Sequence, residues 1–244
     1  MIVLNNRLRL TGALLSFLLL VACGPTAVAP AAQQLQPAQG EERITNGNFD
    51  EGPQGWAPES DGGGSAPRTD AEFGHDGAGA RLETPEGSAG VSALIQEFEP
   101  ATSFTLDFWV RPLRGSSRIG LQDNPTERAL STSRVVFLDA GEPSATVVLT
   151  AWDMNYAFPM PLEIGAWYHV RVRVDSERGV QVFDINGSRT VTLVSTRPSP
   201  SFAIVLGDRQ PRTDAYDVAW TNAHVKDGLN GSYDYDGISL HATQ

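Results

Sequence analysis

The chain has a single cysteine, Cys23, in 244 residues. An intrachain disulfide is therefore excluded, and stability has to come from an apolar core, which a chain of this length can build. Positive charge is scarce as well: 18 Lys and Arg stand against 29 Asp and Glu, a formal charge of −11. Nucleic-acid affinity comes mainly from cations that neutralise phosphates, so this balance argues against nucleic acid as a partner. After the first forty residues helical periodicity is almost absent, and no internal repeat is visible. No apolar run reaches the roughly 20 residues that a membrane-spanning helix needs.

Several chemistries lose their usual signatures. His75, His169, His224 and His241 show no H-x-x-x-H spacing for a metal, and no serine lies in a G-x-S-x-G setting. Gly62-Gly63-Gly64 lacks the preceding strand and following helix of a phosphate loop. Glycoside hydrolysis needs two carboxyl groups flanking the scissile bond. Asp234 and Asp236 share a face by spacing, as do Glu97 and Glu99, and both pairs read as solvated acids. His169 falls on the polar face of its strand and reads as structural. A lyase-type site would need Tyr156, His169, Tyr216 and His224 to meet in space.

What is present begins at the N-terminus. Arg7 and Arg9 precede a largely apolar stretch from Leu10 to Val21, and small residues follow. Charge, a short apolar run and small residues are the three parts of a secretory signal. Leu20-Val21-Ala22-Cys23 resembles the lipobox of bacterial lipoproteins. That resemblance implies cleavage after residue 22 and acylation of Cys23, which would anchor the chain to a membrane of the cell envelope with its domain outside the cytoplasm. Removing residues 1–22 takes away two arginines and no acid, carrying the formal charge from −11 to −13. Residues 23–42 then form the lipidated cysteine and a flexible Pro/Ala/Gln-rich tether, too poor in large apolar groups to fold alone.

Residues 43–244 read as one all-β domain. Phe104, Leu106, Phe108 and Val110 alternate with Thr105, Asp107, Trp109 and Arg111; Tyr168, Val170, Val172 and Val174 alternate with His169, Arg171, Arg173 and Asp175. Such alternation marks strands with one buried face, the pattern of antiparallel sheets. Asn186-Gly187 between two β-rich runs predicts a hairpin over 180–194. Further strands are expected near 91–98, 134–138, 145–152, 202–206, 216–222 and 233–241, with 57–69 as a long Gly/Ser/Pro/Asp loop. An antiparallel β-sandwich or jelly roll follows.

TSFTLDFWVRP (102–112), GAWYHVRVRVD (165–175) and VQVFDINGSRT (180–190) resemble strands of the concanavalin A-like, LamG-type jelly rolls. ITNGNFDEGPQGW (44–56) and SYDYDGISLHA (232–242) are similar to the opening and closing segments of bacterial carbohydrate-binding modules, with Asp50 standing for the usual Glu and Gly237 for a second Asp. The second resemblance implies a structural Ca²⁺ between first and last strands, held by Asn48 through its backbone, Asp50 and Asp236. Ca²⁺ takes oxygen ligands, which these positions supply.

A sugar ring stacks its C–H faces on aromatic side chains and needs amides or carboxylates for its hydroxyls. Trp152, Asp153, Asn155 and Tyr156 offer that mixture in one segment; Trp220, Asn222 and His224 offer it in another. Core packing of both tryptophans is the plainer alternative. The sequence thus leaves three function classes: a surface-tethered, non-catalytic carbohydrate-binding or adhesion domain, a glycoside hydrolase or polysaccharide lyase of the same superfamily, or a structural envelope lipoprotein with a protein partner.

Overall fold

Where apolar residues recur at every second position, the chain forms strands that bury that face. A computed structural model describes residues 41–227 except 86–89, 116, 124–132, 139–145, 152–153, 188, 195–198 and 213–215. The strands are β1 (Ala57–Gly62), β2 (Arg68–Asp70), β3 (Gly79–Thr84), β4 (Gly90–Ala101), β5 (Ser103–Arg114), β6 (Ser117–Gln122) and β7 (Ser133–Leu138). They continue with β8 (Thr146–Ala151), β9 (Met154–Pro161), β10 (Tyr168–Asp175), β11 (Val180–Ile185), β12 (Arg189–Val194), β13 (Ser201–Arg212) and β14 (Tyr216–Asp227). Among the described residues one 3-10 turn, Ala71–Phe73, is present; it starts at Asp70, whose carboxylate accepts the Glu72 N–H.

These strands make two antiparallel seven-stranded sheets, the β-sandwich that the alternation predicts. The first runs β1-β4-β13-β6-β7-β8-β9 and the second β12-β11-β10-β5-β14-β3-β2. Leu94, Leu206, Ile119 and Leu149 point inward from the first sheet; Leu82, Val110, Phe108, Leu106, Val170, Val172 and Phe183 meet them from the second. Each is almost wholly buried, and at about 25 cal/mol per Å² this shared core is the main stabilising term.

The predicted hairpin is present. Asn186 and Gly187 both take positive φ (53° and 63°), and the two strands pair from Ile185 opposite Arg189 onward. Asn186 also ties the turn to β10: it donates its N–H to the His169 carbonyl and accepts the His169 N–H through Oδ1, each at 2.8 Å.

The expectation of one long loop over 57–69 is corrected. Residues 57–62 pair with β4 along the sheet edge, from Ala57 opposite Ile95 to Gly62 opposite Gly90. Residues 68–70 pair with β3. The polar sequence of β1 hid it, because an edge strand needs only backbone pairing and gains from charge on its outer face. The turn after it depends on Gly64, where a Cβ would lie 1.8 Å from the Val91 carbonyl oxygen. β9 also went unpredicted; Pro159 and Pro161 are tolerated there because it too is an edge strand. The expected strand over 233–241 lies outside the described residues.

Candidate functional site

Register decides which outward side chains meet. On the second sheet, Trp109 of β5 lies opposite His169 of β10 and Thr221 of β14. One row along, Asp107 lies opposite Arg171 and the His224 position, and Arg171 opposite Asp184. One row the other way, Arg111 lies opposite Ala219, Ala219 opposite Arg81, and Arg81 opposite Arg68. The outer face therefore carries aromatic, ionic and basic rows side by side.

The aromatic row is closed by residues outside the strands. The His75 ring stacks on Trp109 with centroids 4.0 Å apart and planes 14° apart; His169 stacks on the same indole at 4.7 Å and 9°. Trp167, just before β10, meets the His75 ring edge-on at 5.5 Å, and the Arg111 guanidinium lies 4.9 Å over the Trp167 ring. Contacts of this kind are worth about 0.5–1.5 kcal/mol each beyond area burial, so they favour this arrangement of the rings. His75 comes from the loop before β3. That loop is pinned where the Thr221 hydroxyl donates to the Ala78 carbonyl at 2.6 Å, and the His75 Nδ1 sits 2.6 Å from Asp76.

Beneath the aromatic row Asp107 bridges His169 and Arg171. Its Oδ1 takes the Nε2 of His169 at 2.6 Å, and its Oδ2 accepts from Arg171, whose side chain is 4% exposed. Burial alone would raise the Asp107 pKa. The hydrogen bond to His169 and the charges of His169 and Arg171 outweigh it, so the carboxyl is held below its ordinary 3.8. An ionised carboxylate only accepts, so His169 Nε2 carries a proton. The imidazole is thereby fixed in orientation, as a catalytic base would be. Among the described residues, however, no hydroxyl or thiol bonds to His169.

Openness changes along this face. Trp109, Trp167 and Arg111 are half-buried and Asn186 is exposed, whereas Arg171, Arg173, Asp184 and Thr105 are buried. The accessible part is the aromatic and basic end.

The residues singled out in the sequence do not gather here. Tyr156 and Asn155 are on β9, the edge of the first sheet, opposite Leu149 and Thr150. Tyr156 pairs with core residue Leu149 yet is 38% exposed on this edge strand. Trp220 and Asn222 are on β14 of the second sheet; the Trp220 position is in register with Ala80 and Val110, both core residues, and Asn222 falls in a bulge. The two segments are thus on different sheets, and Trp152 and Asp153 lie outside the described residues. Tyr156 is likewise not on the sheet that carries His169, Tyr216 and His224, which removes it from a lyase-type group.

For the expected Ca²⁺ site, Asn48 and Asp50 are exposed and bonded to each other, Asn48 Nδ2 donating to Asp50 Oδ2 at 2.6 Å. The Gly47 carbonyl beside them accepts the Ala223 N–H from the β14 bulge at 2.9 Å. Asp236 lies outside the described residues, and among those described no three His, Cys, Asp or Glu come together to hold a metal. Asn48 and Asp50 alone do not reach the six to eight oxygens that Ca²⁺ takes.

Sequence reasoning missed the aromatic cluster, although part of it was readable. Trp109 and His169 each interrupt a polar face with a ring. What no local pattern shows is the register that opposes them, or the arrival of His75 from a loop more than thirty positions upstream of Trp109.

Among solved structures the chain is similar to a sialidase, with a TM-score of 0.57 and 12% identity over 74% of this chain. It spans 18% of that protein's length. It is also similar to the carbohydrate recognition domain of Emp47p, with a TM-score of 0.51 and 14% identity, covering 79% of this chain and 100% of that domain. At these identities the likeness establishes the lectin-like β-sandwich fold alone. No known family description and no curated protein matches the sequence.

Proposed function

We propose that this chain is a non-catalytic carbohydrate-binding domain, tethered outside the cytoplasm through a lipid on Cys23. The observation that carries the reading is the cluster on the outer face of the second sheet in which exposed His75 packs on half-buried Trp109, Trp167 and His169. Partly exposed rings packed on one another, beside hydrogen-bonding groups, suit a sugar with apolar ring faces and polar edges. Pre-organisation of this kind lowers the ordering cost of binding. The shared fold of a carbohydrate recognition domain is consistent with it. The tether rests on the lipobox-like Leu20-Val21-Ala22-Cys23.

A glycan array probed with the purified full chain tests the reading, together with product analysis after incubation with the retained polysaccharides. Retention without release of shorter products is the expected result. Release of reducing ends or unsaturated sugars would instead make the chain an enzyme. Retention of no glycan would leave a protein-binding role.

A further inference from the structure

The basic row next to the aromatic cluster is at odds with the rest of the chain. In a molecule with 29 acidic against 18 basic residues, Arg68, Arg81 and Arg111 share one row across four neighbouring strands, with Ala219 between the last two. Strand spacing of about 4.8 Å puts successive positions of this line one or two strand widths apart. Like charges in cross-strand register destabilise a sheet. Arg68 and Arg81 are directly opposite, and both guanidinium groups lie over Phe73, at 5.4 and 5.7 Å from its centroid. The nearby acid Glu83, one row away, is shared by Arg68 at 3.5 Å and Arg114 at 3.6 Å.

Arg111 is the telling member. Among the described residues it meets no carboxylate: its contact is the Trp167 ring, and its Nε is buried without a hydrogen-bond partner. A buried N–H of a charged group left unmade is expensive. A guanidinium lying over an indole also has N–H donors beside whatever sits on the same aromatic surface.

We infer that the ligand of this surface is an acidic glycan, one whose sugar rings carry carboxylate or sulfate groups. The ring packs against the Trp167 and His75 edge of the cluster, and its anionic group pairs with Arg111. Arg81 and Arg68 continue the line toward the next charged sugar, with Ala219 leaving room between. This rests on the proposed carbohydrate binding and specifies its substrate class. The net negative charge of the chain works against polyanions at long range, so recognition falls to these short contacts.

The test uses the full chain and three sets of immobilised polymers: a polyuronate, a sulfated polysaccharide and neutral glucans. Retention on the polyuronate or the sulfated polymer, with little on the glucans, is expected; which of the two it is identifies the anionic group. Arg111→Gln should weaken that retention about tenfold or more, the scale of one charge-assisted hydrogen bond. As a measurement independent of the variant's folding, free glucuronate or a sulfated monosaccharide should compete on the unmodified chain where glucose does not. Retention on neutral glucans alone, or competition by glucose as effective as by the acids, would overturn the acidic-ligand inference and leave carbohydrate binding standing. Retention on none of the polymers would remove both.

Discussion

Asp107→Asn is the most informative single change, because it alters charge with almost no change in shape. Asp107 stands between His169 and Arg171, 2.6 Å from each. The substitution leaves the 4%-exposed Arg171 guanidinium without its counter-charge. Removing one partner of a buried ion pair costs about 3–5 kcal/mol, and the lower end applies here because the amide oxygen still accepts one hydrogen bond. For a chain of this size about 3 kcal/mol lowers Tm by roughly 6–12 °C. The pH dependence supplies a second reading. The folded carboxyl binds its proton at lower pH than the unfolded one, whose ordinary value is 3.8. Between the two the unfolded state holds more protons, so this contribution is complete above that value and is lost as pH falls through the lower folded value. Urea denaturation of the two proteins, at neutral pH and at a series of acidic values, should show a large gap at pH 7 that narrows below pH 3.8. A gap under about 0.5 kcal/mol at neutral pH, the range of ordinary surface changes, would refute the role given to Asp107.

Gly64→Ala should destabilise by about 1–3 kcal/mol, the cost of overpacking, since the Val91 backbone has to move to admit the methyl group; an unchanged denaturation midpoint would show that the turn closes otherwise. If Asn48, Asp50 and Asp236 hold Ca²⁺, a chelator should lower the Tm of protein purified with calcium, by mass action. Asp236→Ala should abolish that difference, and a Tm indifferent to chelator would dispose of the metal. Cys23→Ser should leave an unprocessed or soluble form. Unaltered acyl labelling and membrane fractionation of that variant would contradict lipidation.

The sandwich was legible because its inner faces are strictly alternating. Phe104 to Val110 and Tyr168 to Val174 announce their strands, and Asn186-Gly187 announces the hairpin between two others. The edges were not, and the reason is physical. β1 is made from APESDG, with no large apolar side chain to bury, and is held by pairing with β4. The candidate site was legible only in its parts. Trp109 and His169 could be assigned to polar faces, but their opposition depends on a long-range register, and His75 joins them from a loop fixed by Thr221. Segments 152–156 and 220–224 looked alike in composition because aromatic and amide groups occur together at strand ends and within strands. The placement of Asn155 and Tyr156 on one sheet and of 220–224 on the other follows from topology, which composition does not encode.

The most direct test of carbohydrate binding at this surface is the affinity of the full chain for a retained oligosaccharide, measured by calorimetry with and without Trp167. Trp167→Ala removes a half-buried ring that belongs to neither sheet's core. It should weaken binding by about 1–3 kcal/mol, a range borrowed from the stacking of flat bases on aromatic side chains. Loss of its contacts with His75 and Arg111, about 0.5–1.5 kcal/mol each, should lower Tm by several degrees without unfolding the domain, and Tyr156→Ala, on the other sheet, should bind as the unmodified chain does. Undiminished affinity in Trp167→Ala, or a loss confined to Tyr156→Ala, would contradict the account and move the site to the edge of the first sheet.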